Sequence, residues 1–182
     1  QLHERLASDA QDDSVSRDDR AHAKAATTLN LGFVMERRGD YDGAIANYRR
    51  AIETWLTTRP PHDEDVLTAR SNVAVCLANL GKNEEALAEH RAVLELRRAN
   101  LGDHPNTAIT LLNIGAALRG MGRPAEAIEA YNESLTIRRR VHGEEHPDVA
   151  ICLNNLAVAY ADLREFAKAE QTHRQALAIR VK

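Results

Sequence analysis

The chain has 182 residues, 43% of them hydrophobic and 28% charged, with 24 basic against 27 acidic residues and a formal net charge of −3. A balance this close to neutral gives no electrostatic footprint for nucleic acid or an anionic membrane, and no apolar run reaches membrane-spanning length. Aromatic residues make up only 4%, so the interior must be built from Ala, Leu, Ile and Val on closely packed helices.

Residues 1–19 open with Leu2-His3-Glu4-Arg5-Leu6 and turn polar and acidic through Asp12, Asp13, Asp18 and Asp19. Leu2 and Leu6 lie one period before Ala44 and Tyr48. The segment therefore reads as the remnant of a preceding helix followed by a linker, with a disordered tail as the other reading. The first residue is Gln rather than Met, and the basic-then-apolar signature of a signal peptide is missing. This suggests a fragment or a processed chain, from which a targeting segment could have been lost.

From about Arg20 a helical pattern runs to about Arg38, and Gly39-Asp40 breaks it before a second helix begins near Tyr41. That helix carries Ala44, Ile45, Tyr48, Ala51, Ile52 and Trp55, an apolar stripe at helical spacing. It should stop before Pro60-Pro61. The same hairpin then recurs. A second unit spans about Asp63–Leu101 and breaks at Gly81, and a third spans about His104–Val141 and breaks at Gly120–Arg123. A fourth runs from about His146 to the chain end and breaks at Arg164. Arg164 stands where the other turns have glycine, which implies either a less strained turn or a left-handed non-glycine residue.

Asn30, Asn72, Asn113 and Asn155, like Ala44, Ala86, Ala127 and Ala169, return every 41 or 42 residues. A fixed period of that size is the mark of a repeat array, in which each unit buries its face only against its neighbours. The expected organisation is one array over 20–182, with units 20–60, 61–102, 103–143 and 144–182. The linkers match as well: Gly102-Asp103-His104-Pro105 aligns with Gly143-Glu144-Glu145-His146-Pro147, a helix stop followed by proline in the next helix's first turn. The basic runs Arg49-Arg50, Arg97-Arg98 and Arg138-Arg139-Arg140 lie near helix C-termini, where the helix dipole favours them.

At the residue level the pattern resembles the tetratricopeptide repeat. In the first and third units the first helix has a large, small, large triplet (Leu31, Gly32, Met35; Ile114, Gly115, Leu118), and the second helix has Ala, an aromatic and a small residue (Ala44, Tyr48, Ala51; Ala127, Tyr131, Ser134). A 41–42-residue period alone would favour HEAT or armadillo units. The small pairs Gly32/Ala44, Ala74/Ala86, Gly115/Ala127 and Ala157/Ala169 decide against them. The long linkers make the repeat similar to the kinesin light chain type, with its His-Pro-x-x-Ala-x-x-Leu-Asn-Asn-Leu-Ala string at His146 to Ala157. The resemblance implies an all-α, right-handed α-solenoid of four helical hairpins. Departures are His90 and His173 at the aromatic position, and Thr28 and Arg70 at an apolar one. No polar capping helix closes the last unit, so further repeats or a homo-oligomeric contact through uncapped ends is expected.

The first helix of each unit should line a concave groove, which places the asparagines in one row. An asparagine inside a helix costs about half a kcal/mol relative to alanine. Either these amides bond the backbone of an extended peptide or each bonds a neighbouring helix. The resemblance implies a protein or peptide ligand, with Asn30, Arg37, Asn72, Asn79, Asn113, Arg119, Asn154 and Asn155 as the binding residues and Glu36 and Asp162 beside them. Leu29 and Phe33 stand where chaperone-clamping relatives carry Lys and Asn, which argues against a C-terminal carboxylate ligand. The alternative function is a regulatory or sensory arm of a larger multidomain protein, with its groove or ends used intramolecularly or for self-assembly.

No chemistry-bearing motif competes with binding. His104 and His146 recur with the linkers and suit a helix-start role, while His90 and His173 suit packing as satisfied inter-helix residues. No His-Glu-x-x-His or Cys-x-x-Cys string sets a metal geometry, and no nucleophile has a catalytic neighbourhood. The expectation is no enzyme, no cofactor and no metal. Cys76 and Cys152 read as buried, reduced thiols in a cytoplasmic protein.

Overall fold

The computed structural model describes the backbone of residues 2–180 and the side chains of residues 18–179. Within them the chain is all-α, with eight helices and no strand among the described residues: α1 Leu2–Arg37, α2 Tyr41–Trp55, α3 Glu64–Asn79, α4 Asn83–Leu101, α5 Pro105–Gly120, α6 Pro124–His142, α7 Pro147–Asp162 and α8 Phe166–Arg180. The chain divides into two compact units, residues 1–76 and 77–182. The first holds α1, α2 and most of α3, and the second holds the end of α3 and α4 to α8.

One expectation is corrected at the start of the chain. Where a linker was expected before Arg20, α1 continues without a break from Leu2 to Arg37. The physical reason is local: no glycine or proline occurs before Gly32, and acidic residues alone do not interrupt helical hydrogen bonding. The packing expected of Leu2 and Leu6 lies outside the described side chains.

The hairpin turns share one geometry. In each, a residue with positive φ follows the first helix: Gly39 at 81°, Gly81 at 77°, Gly122 at 71° and Arg164 at 61°. The Arg164 amide donates to the Ala161 carbonyl at 2.9 Å and the Glu165 amide to the Tyr160 carbonyl at 2.9 Å. The glycine turns make the same pair of bonds, for example Gly122 to Arg119 and Arg123 to Leu118. This is the Schellman closure of a helix C-terminus. Arg164 thus takes the left-handed conformation rather than a relaxed one, held there by two backbone bonds.

What brings the two helices of a hairpin together is a small residue facing a ring. A Cβ added to Gly32 would lie 2.7 Å from Cε1 of Tyr48, and one added to Gly115 would lie 2.6 Å from Cδ1 of Tyr131. Both tyrosines are fully buried. The ring occupies the volume that a methyl group would need. In the same register the sequence has Ala74 and Ala157 in place of the glycines and His90 and His173 in place of the tyrosines.

Around these contacts the cores are aliphatic. In the second unit Leu87, Leu94, Leu111, Ile114, Leu118, Leu135, Leu153 and Leu156 form one cluster running from α4 to α8. In the first unit Ala25, Ala51, Trp55, Val66 and Ala69 pack together, and the Trp55 indole donates to Nδ1 of His22 at 3.2 Å. Arg97 and Arg138, which share the register of Trp55, are 3% and 4% exposed. Arg97 donates to the Asn106 carbonyl at 3.2 Å and to the Thr110 hydroxyl at 2.8 Å. Arg138 donates to the Asp148 carbonyl at 3.1 Å. The helix dipole is therefore not the reason for these two arginines. They clamp the end of one hairpin to the first turn of the next, satisfying carbonyls with charge-assisted hydrogen bonds.

Two outcomes follow from this packing. Gly115→Ala should lower stability by about 1–2 kcal/mol, because overpacking against Tyr131 outweighs the helix preference of alanine. In a Tyr131→His background the same change should become neutral or stabilising, and a double-mutant cycle in urea measures the coupling. Arg164→Gly should raise stability by about 0.5–1 kcal/mol by relieving the left-handed side chain, read as a higher urea midpoint at unchanged slope.

Candidate functional site

In the second unit α5 and α7 lie against each other, and each leaves one stripe outside the core. On α5 the stripe runs through Ile109, Leu112, Asn113, Ala116 and Arg119. On α7 it runs through Ile151, Asn154, Asn155, Val158 and Asp162. These steps of three and four are the helical complement of the buried face, which on α5 carries Ala108, Leu111, Ile114 and Leu118.

Asn113 and Asn155 are half-buried, and their amides make no hydrogen bond among the described residues. They share one register on adjacent helices with both donor and acceptor unused, and they do not tie one helix to another. Asn154, one residue away, is engaged: its Oδ1 lies 3.1 Å from Nδ1 of His173, joining α7 to α8. Nε of Arg119 donates to Oδ2 of Asp162 at 2.7 Å, joining the ends of α5 and α7. Both partners are more than a third exposed, so the pair adds at most about 1 kcal/mol. Its consequence is electrostatic: the face carries a neutralised pair rather than a free arginine.

The other expected residues sit on their own helices. In the first unit, α1 presents Asn30 and Arg37 to solvent, and Arg37 has no ion pair among the described residues. Asn72 is half-buried on α3, and Asn79 is exposed at the end of that helix, in the second unit. Glu36 is occupied, because the Tyr48 hydroxyl donates to its Oε2 at 2.6 Å. Two residues that the sequence reading did not single out complete the α5–α7 face. Ile109 and Ile151 are 41% and 39% exposed, each four positions before an asparagine of the row. The period that marks the asparagines marks them too.

Ionisable groups near the helix pairs are held neutral. Burial, reinforced by Glu36, pushes the Cys76 thiol up to about 12 and also raises the Tyr48 phenol. Burial likewise raises the Cys152 thiol, which donates to the Tyr131 carbonyl at 3.2 Å. Both cysteines are free and buried. His90 is a packing residue, 1% exposed, yet its Nδ1 has no hydrogen-bond partner among the described residues. Burial pulls its pKa down to about 4, with Arg97 adding to the effect and Glu89 opposing it. The expectation of two satisfied inter-helix histidines is corrected for one of them: Nδ1 of His90 is buried without a partner among the described residues, while His173, though exposed, bonds Asn154 across the helix pair. The exposure of His173 follows from position, since nothing packs over α8 among the described residues in the way that later helices cover α4.

Comparison with known proteins agrees with this geometry. The tetratricopeptide repeat family model matches residues 65–140 and 111–180, and a second tetratricopeptide repeat model matches residues 25–59. No curated protein matches the sequence. Among solved structures, BtubC (BKLC) from P. vanneervenii superposes with a TM-score of 0.81 at 23% identity, covering 97% of this chain and 70% of that one. The nearly identical TPR-like repeats of a kinesin light chain-type protein from Podosopora anserina give 0.73 at 20% identity, covering 85% and 74%. Aspartyl phosphate phosphatase F from Bacillus subtilis gives 0.77 at 16% identity, covering 87% of this chain and 40% of that one. At these identities the likeness is one of fold. No described helix is long and apolar enough to cross a membrane.

The state of His90 predicts a pH dependence. Its folded pKa is depressed, so the unfolded chain takes up the proton first as pH falls. The stability contribution is complete above the unfolded value of about 6.5 and is lost as pH falls towards 4, a loss on the order of 2–3 kcal/mol. Urea unfolding between pH 7 and pH 4 should show this slope, and His90→Leu should flatten it.

Proposed function

We infer, from the premise that this chain belongs to the tetratricopeptide repeat family, that it works by binding an extended segment of a protein partner across the exposed faces of α5 and α7. The repeat is a protein-interaction fold of the kinesin light chain type. What it recognises depends on the side chains left facing outward.

The observation that carries this reading is the pair of unbonded, half-buried amides at Asn113 and Asn155. A helix gains nothing from asparagine in its interior, and a half-buried amide with no protein partner leaves its donor and acceptor to solvent or to a ligand. Each amide can both donate to and accept from a peptide backbone, which gives affinity without reading sequence. Ile109 and Ile151 beside them offer apolar contact, and the Arg119–Asp162 pair removes net charge. The ligand this face suits is an extended segment with aliphatic side chains. Asn30, Asn72 and Asn79 supply the same kind of contact on their own helices, and the free guanidinium of Arg37 suits an acidic ligand residue.

The test is a peptide-array screen of the chain alongside an Asn113→Ala/Asn155→Ala variant. The variant should keep its helical circular dichroism and gain up to about 1 kcal/mol of stability from helix preference, while losing the peptides that the parent enriches. A marked fall in stability would assign the row to the fold instead. Equal enrichment by both proteins would place the binding face elsewhere.

A further inference from the structure

We propose that the α6–α7 linker binds a divalent transition-metal ion of the zinc class through His142, His146 and Asp148. One ligand atom from each residue lies within 4.8 Å of the other two. Nε2 of His142 is 3.8 Å and Nδ1 of His146 3.9 Å from Oδ2 of Asp148. The two imidazoles stack beside the carboxylate, with centroids 4.2 Å apart and planes inclined by 17°. Nε2 of His142 is shielded from solvent and has no hydrogen-bond partner among the described residues.

Helix capping explains only one of these residues. Nδ1 of His146 accepts the Asp148 amide at 3.1 Å, the start of α7. The α4–α5 linker does the same with His104, which accepts the Asn106 amide at 3.2 Å. There, however, Leu101 stands in the place of His142 and Asn106 in the place of Asp148. The turn therefore requires neither a second imidazole nor a carboxylate, and both occur only in the linker where His142 is left unpartnered.

Two imidazoles and one carboxylate, with water in a fourth position, make a tetrahedral zinc-type set. In it Nδ1 of His146 gives up the Asp148 amide to take the ion, because its single lone pair serves only one of them. Nitrogen donors select zinc, nickel or copper over magnesium and calcium, which take oxygen ligands. Tetrahedral bonds of about 2.05 Å put ligand atoms roughly 3.4 Å apart, so each imidazole nitrogen has to move closer to Oδ2 of Asp148 than its present 3.8 or 3.9 Å. The stacked rings must also turn their edges toward the carboxylate. The buried Arg138 guanidinium, 3.4 Å from Oδ2 of Asp148, supplies the outer bond that orients a ligating carboxylate. Its positive charge competes with the ion for the carboxylate and weakens binding. His142 ends α6 and His146 directly precedes α7, so a bound ion would link the two helices in place of the His146 cap.

The test uses the untagged full chain with zinc chloride, followed by calorimetry and thermal unfolding, with magnesium and calcium chloride as comparators. The expected result is one zinc per chain at micromolar affinity and a midpoint raised by several degrees, with no response to magnesium or calcium. His142→Leu and Asp148→Asn, which copy the α4–α5 linker, should each weaken binding at least tenfold at unchanged helicity, and His104→Ala should leave it intact. Absence of micromolar zinc binding, or binding that survives His142→Leu, overturns the proposal.

Discussion

Two of the hairpins, α1–α2 and α5–α6, depend on a steric interlock between a residue without a side chain and a buried ring. Gly32 against Tyr48 and Gly115 against Tyr131 let two helices approach until the ring fills the place of a Cβ. Close packing of this kind fixes both the separation and the register of the pair, because no other residue on the first helix could face the ring. Everything that faces outward follows from that register. Once Ile114 and Leu118 are turned inward with Gly115, Asn113 is turned out.

The same logic explains why the outward stripe can vary. A repeat array has no single core, so each hairpin needs only its own interlock and its contact with the next hairpin. Trp55, Arg97 and Arg138 share a register at the end of the second helix, yet one packs beside His22 and the others donate to carbonyls of the following helix. An indole and a guanidinium serve one position because both are long and planar and carry N–H donors at their edge. The linkers show the same tolerance. His104 and His146 cap their helices alike, while the residues around them differ in charge and ligand character.

Charge on the exposed faces is largely settled within the protein. Arg119 is matched by Asp162 and Glu36 by the Tyr48 hydroxyl, so the arginine and the carboxylate that look available in sequence are taken. On the α5–α7 face the unbonded groups are the neutral amides of Asn113 and Asn155, whereas Arg37 on α1 keeps a charge unpaired among the described residues. A face of neutral amides is suited to backbone contact and apolar side chains more than to charge recognition.

The sequence by itself determined the repeat, its period, the hairpin turns and the helix starts. These depend on local chemistry: glycine for positive φ, proline in a first turn, and a small residue at a fixed offset from an aromatic one. It also marked the asparagine row, because an unfavourable residue repeated at one register stands out against helix preference. It misplaced the start of α1, since acidic polarity resembles a linker until one notes that nothing there breaks a helix. Only the tertiary structure decided which polar side chains are already partnered. Asn154 and Asn155 are adjacent in the chain, but a turn of 100° per residue points one at His173 and leaves the other free. Hydrogen-bond partners come from other helices, and no local pattern records them.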